Sequence, residues 1–232
     1  MTQKERLTAL GRLSTVIAHE IRNPLMIIKA SLHTLRQPEI DATAAREAVH
    51  DIDEEVARLN GIVNEVLDFA RPIRFDYASA DINAVCRDAA SAAMASGPGA
   101  EISTMFDPDL APITTDASRL RIALVNLLVN ARHAVNGAAG AGGVSLATRN
   151  AGHNVLLVIT DRGLGIAPDA LVQIFDPYFT TKRGGTGLGL PIAKNIIEGL
   201  GGTIALSSTP GVGTEVRVEL PHDSSRSVRA AS

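Results

Sequence analysis

A chain of 232 residues has room for one large domain or two small ones. Its 45% hydrophobic content supports a core, which five Phe, two Tyr and no Trp require to be built from Leu, Ile, Val and Ala. A net charge of −3 gives no reason to expect nucleic acid, no apolar run reaches the roughly 18 residues of a membrane span, and the single Cys86 excludes an intrachain disulfide.

Residues 3–36 carry a helical period. Leu7, Leu10, Leu13, Ile17, Ile21, Leu25, Ile28, Leu32 and Leu35 recur at spacings of three and four. Residues 43–70 repeat it as a heptad seam of Ala45, Val49, Ile52, Val56, Leu59, Val63, Val66 and Ala70. Between them "RQPEIDA" supplies the Pro and Asp of a hairpin turn. A hairpin alone exposes both seams, so we expect a homodimer closing a four-helix bundle, with packing on the same chain as the alternative. The Pro24 in "AHEIRNPL" predicts a kink just after His19.

The pattern then changes. "RPIRFDYASAD" breaks the period and reads as a linker. Residues 81–96 read as a helix capped by Asp81 and "AEISTMF" as a strand, followed by a strong amphipathic helix over 116–135. "GVSLATRN" and "NVLLVITD" read as paired strands, "PIAKNIIEGL" as a helix stopped by Gly201-Gly202, and "GTIALSS" and "GTEVRVELP" as a last strand pair. The tail from His222 reads as disordered. The expected organisation is a helical hairpin over 1–71, a linker over 72–80, an α/β sandwich over 81–221 and a tail over 222–232.

Four clusters carry chemistry. "HEIRN" begins like the zinc motif H-E-x-x-H, but Asn23 stands where the second ligand belongs. His19 lies two residues from Ile17 and from Ile21, about 200° around the helix, and so faces solvent. In "VNLLVNARHAV", Asn126, Asn130 and His133 lie on the face opposite Leu120, Leu124, Leu127/Leu128, Ala131 and Val135. The two Asn amide oxygens suit a hard cation such as Mg²⁺, but taken alone the pair reads more readily as two solvated Asn on a surface helix. "DRGLGI" follows a strand, and Asp161 there is an acceptor-only carboxylate that can receive an adenine amine; an ordinary Asp-Gly turn reads the same. "KRGGTGLGLPIAKNII" places Gly185, Gly187 and Gly189 before a helix, an anion-binding arrangement with Lys182 beside it, but without the P-loop's G-K-[ST].

The order of these clusters resembles the catalytic core of bacterial sensor histidine kinases, from about Leu7 to Pro221. "AHEIRNPL" resembles the phosphoacceptor box and "NLLVNA" the Asn box. "DRGLGI" resembles the first glycine box, "IFDPYFTTK" the Phe box and "GGTGLGL" the second glycine box. "LGGTIALSSTPGVGTEVRVELP" is similar to the family's closing strands.

That resemblance implies a Bergerat-type ATP-binding domain joined to a dimerisation and phosphotransfer hairpin. It implies ATP-dependent phosphorylation of His19, with Glu20 balancing the imidazole proton, and transfer to an aspartate of a response regulator. Asn130 matches the Mg²⁺-binding residue and Asn126 its supporting partner. Asp161 matches the adenine-recognition residue, and Gly163, Gly165, Gly185, Gly187 and Gly189 the lid and phosphate glycines, with Thr186 and Leu188 between them. Phe175 and Phe179 match the Phe box, Lys182 a phosphate contact and His133 a basic phosphate-touching position. The short segment from Gly165 to Gly185 is similar to the compact lids of the nitrogen-regulation subgroup. Asn23, one turn after His19, matches a phosphatase signature and implies a bifunctional enzyme. The expected location is cytoplasmic, free or as part of a larger sensor. The alternatives are a gyrase-type ATPase, which needs a Glu on the Asn helix, and a non-catalytic dimeric scaffold.

Overall fold

Two helices joined by a short turn open the described chain. The structure, a computed structural model, describes residues 14–70, 74–136, 142–180 and 186–223, so Leu7, Leu10, Leu13, Lys182 and Gly185 lie outside the described residues. It divides into two compact units, Met1–Pro72 with Pro177–Leu188, and Ile73–Asp176 with Gly189–Ser232.

In the first unit, α1 spans Ser14–Leu35 and α2 spans Ala42–Ala70. The turn ends where Asp41 Oδ1 accepts the N–H groups of Thr43 (2.7 Å) and Ala44 (2.9 Å), capping α2. Ser31 Oγ donates to Asp51 Oδ2 across the pair at 3.4 Å. α1 is continuous through Pro24, which is buried and has no N–H to offer the Glu20 carbonyl one turn back. The apolar seam divides in two. Ile21, Ile28 and Leu35 on α1, and Ile52, Leu59 and Val66 on α2, are half-buried. Leu25 and Leu32, and Val49, Val56 and Val63, are exposed. Each set keeps a spacing of seven, so one stripe closes the hairpin and the other remains open.

The second unit starts earlier than the linker reading places it. Residues 74–80 are built into it. β1 (Ala78–Ala80) pairs antiparallel with β3 (Ile113–Thr115), Ala78 opposite Thr115. α3 (Ile82–Ala95) follows, with Asp81 at its N-cap accepting from the Ala84 N–H. Then come β2 (Ile102–Met105), α4 (Ala117–Asn136), β4 (Val144–Ala151), β5 (Asn154–Asp161), the single turn α5 (Pro168–Leu171), α6 (Gly189–Gly199), β6 (Thr203–Thr209) and β7 (Gly213–Pro221). α6 begins two residues before the expected Pro191, because Pro is tolerated in a first helical turn.

The larger sheet runs β2-β4-β5-β7-β6, with β2 parallel to β4 and the other pairs antiparallel. On β5, Val155, Leu157, Ile159 and Asp161 are buried while Leu156, Val158 and Thr160 are half-exposed. That alternation marks the face covered by helices. Leu120, Leu124 and Leu128 of α4, Ile196 and Ile197 of α6 and Val218 of β7 complete this core. The tail is held at its start, where Thr114 N–H donates to the His222 carbonyl at 2.9 Å and Thr114 bridges Asp223. Residues 224–232 lie outside the described residues.

Candidate functional site

α4 is the backbone of the second unit's site. Asp116 caps it, its Oδ1 accepting the Arg119 N–H at 2.9 Å. The apolar face is buried as the spacing predicts, and the opposite face carries Asn126 and Asn130 half-buried and His133 exposed. Asn126 Nδ2 donates back to the Ile122 carbonyl at 2.9 Å, which aims its Oδ1 outward. Gly189, the first residue of α6, sits over that spot. A Cβ at Gly189 would lie 2.9 Å from Asn126 Oδ1 and 3.5 Å from Asn130 Nδ2. Both amides therefore face the N-terminus of α6, with its positive end of the helix dipole.

The loop after β5 presses on the same helix. Asp161 is buried, and its Oδ1 accepts the Gly163 N–H at 2.9 Å. A Cβ at Gly163 would overlap the Ala134 backbone, one turn beyond Asn130, and Leu164 N–H donates to the Ala134 carbonyl at 3.2 Å. Gly165 has φ 66°, and a Cβ there would overlap the Thr209 carbonyl. Gly211 N–H to the Leu164 carbonyl (2.8 Å) and Ile166 N–H to Ser208 Oγ (2.8 Å) fasten the loop to the β6–β7 turn. The glycines are thus required by close backbone approach on both sides. Phe175 is half-buried, with Lys194 Nζ 5.1 Å from its ring centroid.

Phe179, Thr186, Gly187 and Leu188 belong to the first unit. Tyr178 N–H donates to the Gly187 carbonyl at 2.9 Å. Tyr178 has φ 69° and Gly187 φ 66°, and a Cβ on Gly187 would lie 2.6 Å from Tyr178 Cα. Burial pushes the Tyr178 phenol up to about 12. Leu188 is buried, and its N–H donates to Thr186 Oγ1 at 3.3 Å. Tyr178 escaped sequence reasoning because nothing in the residue type signals positive φ.

On α1, His19 and Asn23 are both exposed, one turn apart. Glu20 turns elsewhere. Its Oε2 lies 3.5 Å from Arg58 Nη2 on α2, and Arg58 Nη1 lies 3.5 Å from Glu55 Oε2. Arg58 was not singled out from sequence, since a cation 38 positions away gives no local signal.

The second unit's donor set is all-oxygen amide and carboxylate beside glycine-lined backbone. Asn126 and Asn130 fit a hard divalent cation, and Asp161 fits an amino group.

Residues 9–73 match the His Kinase A (phospho-acceptor) domain, and residues 115–224 match the histidine kinase-, DNA gyrase B- and HSP90-like ATPase family. The sensor histidine kinase ZraS of Salmonella typhimurium is 36% identical over 224 residues, 95% of this chain and 48% of that protein. The crystal structure of histidine kinase ThkA in complex with response regulator protein TrrA shares the fold, with TM-score 0.78 at 24% identity over 96% of this chain and 65% of that one. Full-length ShkA in complex with AMPPNP aligns at TM-score 0.64 and 30% identity, over 91% of this chain and 45% of that one. The chain spans about half the length of the first curated relatives it matches. With a phosphoacceptor helical hairpin preceding an ATPase domain of this type, the chain carries the catalytic core of a two-component sensor histidine kinase.

Proposed function

We propose that the chain uses ATP to phosphorylate its own His19 and then passes the phosphoryl group to an aspartate of a response regulator. The observation that carries this reading is the union, in one chain, of an exposed His19 with a buried Asp161 and the Asn126–Asn130–Gly189 cluster. Both family models and the curated relatives support it.

Asp161 receives the adenine amine, on a loop that Gly163 and Gly165 allow to pack against Ala134 and Thr209. Gly185, Thr186, Gly187, Leu188 and Gly189 serve the phosphates with Lys182 and His133, and Phe175 and Phe179 anchor the lid. Asn130, supported by Asn126, is the residue to hold Mg²⁺, whose chemistry is to neutralise phosphate charge. One ring nitrogen of His19 attacks the γ-phosphorus, the bond to the β,γ-bridging oxygen breaks, and ADP leaves. The proton on the other ring nitrogen departs as charge builds on the ring. Glu20 balances that charge, and to accept the proton it must exchange its Arg58 partner. Asn23 orients water against an aspartyl phosphate on the regulator, making the enzyme also a phosphatase. The hairpin dimerises through its open apolar stripe. No helix among the described residues is long and apolar enough to cross a membrane, and a cytoplasmic setting fits ATP use. A gyrase-type ATPase is disfavoured because α4 carries no Glu.

Incubation with γ-labelled ATP and Mg²⁺ tests this. Acid-labile, base-stable label on the wild type that vanishes in His19→Gln is the expected result. Bound ATP without label points to the scaffold, and steady phosphate release without labelled protein points to the ATPase.

A further inference from the structure

The connector at 74–80 grips the two helices that build the nucleotide cluster, at their ends distant from it. Asp116 works on both sides. While Oδ1 caps α4, Oδ2 accepts the Asp76 N–H at 2.9 Å. Tyr77 Oη donates to the Gly199 carbonyl at the last residue of α6 (3.3 Å). Gly199 is also where the Phe75 ring lies, so close that a Cβ there would overlap it. The Phe75 and Tyr77 rings stand 5.8 Å apart, tilted by 31°. Burial first, and then the nearby Asp116 charge, raise the Tyr77 phenol above its ordinary value. The β1–β3 pairing continues the attachment. By contrast, Asn126 and Asn130 lie ten or more residues along α4, and Gly189 lies at the other end of α6.

We propose that Phe75, Asp76 and Tyr77 are positioning residues for phosphoryl transfer, which dock the connector and shorten the tether between the ATP-binding unit and the phosphoacceptor helix. This rests on the kinase reading above. Docked, the chain from Ala70 at the end of α2 to Phe75 reaches about 18 Å at most. Released as far as Ala78, it reaches about 28 Å. For a docked tether that already lets bound ATP reach His19, effective concentration falls as about the −3/2 power of added length, so release lowers their encounter about twofold, and about threefold if β1 also detaches. Docking does not touch the nucleotide cluster, so ATP affinity is independent of it.

Two variants of the full chain test this from opposite sides. Phe75→Ala with Tyr77→Ala removes the connector's grip. Asp116→Asn retains a good helix cap but turns an amide donor toward the Asp76 N–H. Four quantities are measured: hydrogen exchange at the 76–80 amides, the dissociation constant of a fluorescent ATP analogue, the His19 labelling rate at saturating ATP, and the melting temperature. The expected result is lost protection at 76–80, analogue affinity within twofold of wild type, and labelling slowed about two- to threefold. Lost protection with an unchanged labelling rate overturns the inference. So does a loss of affinity in step with the melting temperature, which marks the segment as merely structural. Retained protection in both variants shows that these contacts do not hold the connector, and overturns it too. A wild type that binds the analogue and takes no label removes the kinase reading, and this inference with it.

Discussion

Cys86 lies fully buried on α3, and burial raises its thiol to about 12 from an ordinary 9.0, against a small lowering by Arg87 and a small raising by Asp81. Between those values the folded chain keeps a proton that the unfolded chain has lost. The stability this contributes is complete below pH 9 and drains as pH rises toward 12, at about 1.4 kcal/mol per unit. Urea unfolding of wild type and Cys86→Ala from pH 8 to 10.5 isolates this term, because Tyr178 titrates in both. The wild type is expected to lose stability more steeply above pH 9. Parallel curves would show that the thiol is not excluded from water. At this scale the place of Asp161, Gly163 and Gly165 at the end of an apolar strand was legible, but an ordinary Asp-Gly turn reads the same, and only the resemblance singled out their chemistry. Arg58 and Tyr178 were not legible. The partners of Arg58 are fixed by tertiary approach, and a left-handed Tyr leaves no trace in composition.

Among the elements, α4 holds its neighbours with an arginine that periodicity assigns to neither face. Arg132 is buried, and its guanidinium donates to the carbonyls of Ala93, Gly97 (2.9 Å) and Ala100 (2.8 Å). These acceptors close the C-terminal end of α3 and the loop after it, where a cation is also favoured by the helix dipole. Arg132→Met keeps the aliphatic stem but abandons three carbonyls, that of Ala93 buried and those of Gly97 and Ala100 partly so, and should cost about 3 kcal/mol in chemical denaturation. Arg132→Lys should recover only part, since one ammonium cannot reproduce the planar fork. A Met variant within about 0.5 kcal/mol of wild type would sink this account. The long helices and the β4–β5 and β6–β7 hairpins were readable because period and turn residues agree. β1 and β3 were not. Three residues are too few to show alternation, and "ASA" has little strand preference, so tertiary pairing with Ile113–Thr115 decides it.

For the molecule as a whole, the question is what covers the open stripe of the hairpin. The heptad was legible, but not the division of its positions, since a and d are both apolar and only packing decides which turns inward. Ile52, Leu59 and Val66 face inward, whereas Leu25, Leu32, Val49, Val56 and Val63 remain exposed at the same spacing of seven. Apolar side chains repeated in register along two helices form a continuous surface of the kind that soluble monomers avoid. A second copy of the same hairpin offers the complementary stripe, and two-fold symmetry makes the contact self-limiting. Each substitution then enters the bundle twice. Val56→Glu buries two carboxylates in an apolar layer, so the dimer dissociation constant should rise by more than about a hundredfold. Glu54→Ala, about 200° around α2 from Val56, should leave it unchanged. Sedimentation equilibrium across micromolar concentrations measures both. A wild type that stays monomeric at those concentrations, or a Val56→Glu chain that remains as dimeric as the Glu54→Ala control, means that something other than a second hairpin covers this face.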